Sequence, residues 1–212
     1  MNSKYILLVV LAFCTYTIQC QTFNNFEADF TIKEKYKFAQ KSHLFKGSVK
    51  VNSIDQTSYF TLTFPNREKW LLKDSLLTQI VNDSVIQSIN VGQFENFSLI
   101  KEVNSAIKKD YGLSEIGFTQ KNTVADSSGV KVEWMPPTVM KEIFLMAVTH
   151  ISDNLLRSVS LFDTKEALVS STYFEDYLFI KNIPIPTKIM SKIVGDNETI
   201  FKSLEFKNIK IN

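Results

Sequence analysis

The chain has 212 residues, 44% of them apolar, with 24 Lys+Arg against 22 Asp+Glu and a formal net charge of +2. A balance so close to neutral argues against a basic nucleic-acid binder and against an acidic disordered segment. Two Cys and two His cannot supply a four-ligand structural zinc site without carboxylates, while the apolar share suffices for a core.

Met1 to Lys4 carries one positive charge, and Tyr5 to Ile18 is an uncharged, mostly apolar run of 14 residues. A membrane-spanning helix needs roughly 20 apolar residues. Residues 1–20 therefore read as a secretory signal peptide cleaved near Cys20–Gln21, which marks the chain for export. The rival reading is a lipoprotein anchored to a membrane through an acylated Cys20; Gln19, where a small residue is expected, speaks against it. Cys14 leaves with the signal, so no disulfide pair remains. No repeat, Pro-rich linker or charge block divides residues 21–212, which read as a single domain.

Most of that domain alternates with period two, the mark of half-buried strands. Phe26, Ala28, Phe30 and Ile32 alternate with Glu27, Asp29, Thr31 and Lys33. Val49 and Val51 follow, then Phe60, Leu62 and Phe64, with turn chemistry at Gln40–Ser42, Ser53–Gln56, Pro65-Asn66 and Asn82–Ser84. From Gln93 to Tyr111 the period changes. Phe97, Ile100, Val103, Ile107 and Tyr111 recur every three to four residues, which predicts an amphipathic helix capped by Gly112. A second short helix is expected near Pro137–Glu142. Strands resume at Ile143–Thr149, Leu155–Phe162, Ala167–Phe174, Thr187–Ile193 and Thr199–Ile209. Strands joined by two to four residues are antiparallel neighbours, because parallel pairs need long crossovers. The expected fold is mainly β (α+β): a strongly curved antiparallel sheet of about ten strands, with the helix packed against its concave face.

The sequence shows no catalytic constellation. His43 and His150 lack metal-ligand spacing, and no phosphate loop or nucleophile elbow is present. Asp74, Asp83, Asp176 and Asp196 fall at predicted turns, where Asp serves local hydrogen bonding. Neither an enzyme nor a metal or cofactor is expected. The distinctive feature is 17 Phe. A single Phe is ordinarily core. An open sheet with one helix can also leave a concavity, and core and cavity call for the same residues.

Several short stretches carry a resemblance. Phe26-Glu27-Ala28-Asp29-Phe30 is followed by Gly47 opening a strand, by Pro65-Asn66-Arg67-Glu68-Lys69-Trp70, and by Leu77 to Asp83. The ending, with Ile183-Pro184-Ile185-Pro186 and Phe206 to Asn212, is similar to that of the wider lipoprotein-sorting superfamily. Together they resemble the LolA-like periplasmic lipoprotein carriers. The resemblance implies an unclosed, half-barrel β-sheet capped by helix, whose apolar cavity takes the acyl chains of a lipoprotein. An inner-membrane transporter would supply that cargo and an outer-membrane acceptor receive it. Phe30, Ile32, Phe60, Leu62, Phe64, Trp70 and Ile80 of the sheet, Phe97, Ile100 and Ile107 of the helix, and Trp134 would line the cavity; plain core packing remains open for each. The sequence departs from the family pattern in two places. Phe64 stands where a basic residue precedes the Pro, and cleavage after Cys20 leaves only Gln21–Asn25 before the first strand. The alternative function is a periplasmic sensor or protein-binding module of the same fold without lipid cargo.

Overall fold

The computed structural model describes residues 24–52, 54–55, 57–73, 76–82, 84–90, 103 and 105–212. Its strands are β1 (Asn25–Tyr36), β2 (Ser42–Asn52), β3 (Thr57–Phe64), β4 (Glu68–Lys73), β5 (Leu76–Val81), β6 (Ser84–Asn90), β7 (Thr119–Asp126), β8 (Gly129–Met135), β9 (Phe144–Ser152), β10 (Leu155–Asp163), β11 (Leu168–Ile180), β12 (Ile183–Val194) and β13 (Thr199–Ile211). All thirteen form one unclosed, curved sheet in the order β6-β5-β4-β3-β2-β1-β13-β12-β11-β10-β9-β8-β7. Every neighbouring pair is antiparallel. Two consecutive meanders, β1–β6 and β7–β13, are thus joined side by side through β1 and β13.

The alternation seen in the sequence sets the two faces. On β1, Phe26, Ala28, Phe30 and Ile32 are buried while Asp29 and Lys33 are exposed. Cross-strand partners share a face, so the inner row through Phe30 runs from Gly47 on β2 to Phe206 on β13. Gly47 is required there. A Cβ would collide with the Thr61 carbonyl oxygen and lie 3.1 Å from Cζ of Phe30. Removing that carbon lets the Phe30 ring lie across the neighbouring backbone.

The predicted helix is present where it is described: Val103 and residues 105–107 are helical. Val103, Ala106, Leu113 and Phe118 are buried in the same cluster as the inner residues of β1, β2, β11, β12 and β13. The helix therefore packs into the concave side of the sheet. Its exit is held by Asp110, whose Oδ1 accepts the Gly112 N–H at 2.9 Å and whose Oδ2 accepts from the Ser114 N–H and hydroxyl. Burial opposes ionisation of Asp110, and these bonds outweigh it, holding the carboxyl below its ordinary range. The helix ends at Ile107, ahead of the predicted cap; Gly112, with φ 77°, lies in the turns that follow it. The second predicted helix is one 3₁₀ turn at Thr138–Met140.

The strand count exceeds the expected ten in part because β6 and β7 lack a clean alternation of buried and exposed residues. β7 is exposed along its whole length, so it has no apolar row to repeat. In β6, Val85 and Ile86 are adjacent, on opposite faces, and both exposed. Both strands are edges of the sheet.

Candidate apolar binding site

The concave face is built from alternate residues of neighbouring strands, closed over in part by the helical segment. Its centre is dense. Val49, Ala147, Thr149 and Ile185 have no accessible surface, and Phe26, Phe174, Ile189 and Leu204 have almost none. The Phe26 and Phe206 rings meet edge to face with centroids 5.7 Å apart. Tyr111, just past the helix, stacks at a tilt on Phe174, also at 5.7 Å. Such pairs add to simple area burial. The buried Thr149 hydroxyl is satisfied by the Trp134 indole N–H at 3.0 Å.

Density falls toward β3 and β4. Phe60 pairs with Trp70, and Leu72 pairs with Leu77 on β5. Phe60 is 3% exposed, yet Leu62, Trp70 and Leu72 are only half-buried, as is Phe45 on β2. The Trp70 indole N–H donates to Glu68 Oε2 at 2.8 Å. That bond fixes the ring's edge and leaves its face as apolar surface. The result is an incompletely covered aromatic and aliphatic strip next to a packed core. On the far flank, Trp134, Ile151 and Leu161 are half-buried in the same way.

The residues singled out in the sequence separate into three groups. Phe30, Ile32 and Phe60 are buried within the core cluster, while Leu62, Trp70, Ile107 and Trp134 are half-buried against it. Phe64, 46% exposed, ends β3 opposite Lys46, beyond a register shift. Ile80 pairs with Lys69 and then with Val85 past another shift, one position out of step with the Trp70–Gln79 pair of the inner row. Phe97 and Ile100 lie outside the described residues. The lining expected from the sequence omits Phe174, Phe206 and Phe118, which are buried on the inner surface. For Phe174 and Phe206 the signal lies in the alternation of Tyr173, Phe174 and Glu175 and of Glu205, Phe206 and Lys207.

Burial has left its mark on one titratable group of this surface. The Tyr177 hydroxyl donates to the Leu156 carbonyl, and desolvation drives its pKa far above the ordinary phenol value; the nearby Arg157 opposes the shift. The Arg157 guanidinium lies over the ring at 5.7 Å. Among the described residues, no three His, Cys, Asp or Glu side chains converge to hold a metal ion.

This geometry recurs in solved structures. A LolA superfamily protein from Nitrosomonas europaea superposes with a TM-score of 0.58 at 12% identity, over 91% of this chain and 88% of that one. The fold is LolA-like. A DUF1329 family protein from Desulfovibrio piger gives 0.61 at 14% identity, over 92% and 88% of the two chains. A domain assigned to outer membrane lipoprotein sorting in Vibrio parahaemolyticus gives 0.56 at 11% identity, over 91% and 87%. Identities this low carry the LolA-like fold and nothing finer. No protein-family model and no curated protein matches the sequence.

Proposed function

We propose that the protein is a non-enzymatic carrier of acylated or otherwise hydrophobic cargo, held on the concave face of the LolA-like sheet. The observation that carries this reading is the half-buried strip of Leu62, Trp70, Leu72 and Phe45 beside a filled core. An apolar surface that is only half-buried is suited to a passenger chain. Each CH₂ moved from water onto such a surface is worth about 0.8 kcal/mol. Several methylenes give useful affinity, and the absence of directional bonds permits release. The lipoprotein-sorting assignment of the Vibrio domain supports an acylated protein as cargo. The apolar run at Tyr5 to Ile18 supports export to the periplasm. An inner-membrane donor and an outer-membrane acceptor complete the proposed route.

The test is uptake of a fatty-acyl chain brominated along its length. Trp70 fluorescence should be quenched in the parent protein, and lipid extraction with mass spectrometry should recover acyl species from the purified chain. Leu62→Glu should abolish quenching. Phe64→Glu, at an exposed position where folding is secure, should weaken it if the strip extends to the end of β3. Absence of both quenching and co-purified lipid would overturn the carrier reading in favour of a protein-binding module.

A further inference from the structure

One end of the sheet carries a second apolar surface on its outer side. The β1–β2 hairpin tip, residues 37–41, places Phe38 in solvent at 62% exposure. The tip is held rigidly. Glu198, in the turn between β12 and β13, accepts the Phe38 N–H at 2.8 Å and the Ala39 N–H at 2.9 Å, and the Lys37 N–H donates to the Thr199 carbonyl at 3.0 Å. Two turns distant in sequence are thereby fastened together, with Phe201 beside them on β13, 43% exposed. Phe201 pairs across the sheet with Lys35 on one side and Lys192 on the other. Next to it lies a groove of about 530 Å³ whose apolar lining includes Leu44, Met190 and Phe201.

The cations around these two rings are unspent. Lys37 Nζ sits 5.2 Å from the Phe38 ring centre, and Lys35 and Lys41 are exposed nearby. Among the described residues, none of these three lysines makes an ion pair. The acids of this end are engaged elsewhere. Glu198 turns its carboxylate to backbone N–H groups, Glu205 pairs with Lys33 at 3.6 Å, and Glu34 accepts the Tyr36 hydroxyl at 3.3 Å. Among the described residues at this end, Asp196 in the β12–β13 turn and Glu166 in the more distant β10–β11 turn make no ion pair. Rigidly presented aromatic side chains ringed by unpaired lysines match the chemistry of an anionic bilayer surface. The rings enter the headgroup layer while the lysine stems snorkel to the phosphates.

We propose that this end of the sheet docks the protein onto membranes bearing anionic phospholipid, through Phe38 and Phe201 as wedges and Lys35, Lys37 and Lys41 as headgroup contacts. The proposal goes beyond the carrier reading, since docking requires no cargo. It is tested by flotation of the full chain with vesicles of phosphatidylcholine alone or with added phosphatidylglycerol. The readout is the ratio of binding to the two, which the uncharged run at Tyr5–Ile18 leaves unchanged. Binding should favour the anionic vesicles and fall as salt is raised. The Lys35→Glu/Lys37→Glu/Lys41→Glu variant should lose preference for them by about tenfold or more. Phe38→Ser with Phe201→Ser should lower binding at unchanged salt dependence. Lys181→Glu, in the turn at the opposite end of the strands, should leave it unaltered. All are surface changes, checked for folding by circular dichroism. No preference for anionic vesicles, or an equal loss on Lys181→Glu, would overturn the proposal. Leu62→Glu separates the two readings: it should abolish acyl uptake and keep flotation.

Discussion

The same strands present two faces governed by different rules. On the inner face of β1, Phe30 meets Gly47 and Phe206, with a neighbouring carbonyl in the space a methyl group would need. On the outer face of the same strand, Glu27 pairs with Lys50 at 3.3 Å and Lys33 with Glu205 at 3.6 Å, with all four side chains substantially in water. Interior positions are fixed by volume, since packing is crystal-like and a lost or added carbon is felt. The exterior positions of this strand are held by exposed ion pairs, which water and salt weaken. Alternate residues along one strand therefore differ by severalfold in what they contribute.

Mutation can widen or erase that contrast. The largest effect is expected at Phe174, fully buried under Tyr111: Phe174→Ala should cost about 3–5 kcal/mol, read as a fall in chemical-denaturation midpoint. Gly47→Val should follow at about 1–3 kcal/mol or more, since backbone must move to admit the side chain. A result near zero at Gly47 would mean the inner face yields as readily as the outer. At the rim, Glu198 offers a pH signature. The N–H of Phe38 is the chief cause holding its carboxyl below the ordinary value; desolvation opposes it, and the N–H groups of Ala39, Thr199 and Lys37 add to it. Its contribution is complete above the unfolded value of about 4.3 and fades as pH falls through the lower folded value. Thermal melts from pH 7 to pH 3 should show the parent losing this increment, while Glu198→Gln is less stable at pH 7 and has a shallower acid limb. The smallest effect is expected from Lys33→Ala, below about 1 kcal/mol and vanishing in high salt, measured by the same denaturation.

How far this was readable in advance depends on where each strand sits. β1 alternates because it lies mid-sheet with one face wet and one dry, so its residues announce both faces. β11 and β12 were read short. Glu175-Asp176 has turn composition, yet Asp176 takes a positive φ of 53° inside the strand, the register continues unchanged from Glu175–Lys188 to Tyr177–Pro186, and the Thr187 hydroxyl donates to the Asp176 carbonyl at 2.6 Å. Pro184 and Pro186 lie inside β12, ahead of the expected start at Thr187. They are accommodated because β12 pairs with β13 only from Lys188 onward, so the earlier stretch behaves as an edge. The cavity lining expected from the sequence runs from Phe30 to Ile107 with Trp134 beyond it, and names no residue of β9 to β13. Period-two patterns say which residues share a face of one strand and nothing about which strands lie opposite, and the β1–β13 pairing that brings Phe206 beside Phe30 spans nearly the whole chain.

That pairing also governs how the chain can be assembled and cut. The first and last strands lie at the middle of the sheet, and its edges come from mid-chain. Each meander can form from local hairpins, whose closure is quick, whereas the β1–β13 seam must await both ends of the chain. Synthesis therefore completes the seam last, and trimming either terminus would split the sheet down its centre rather than fray its border.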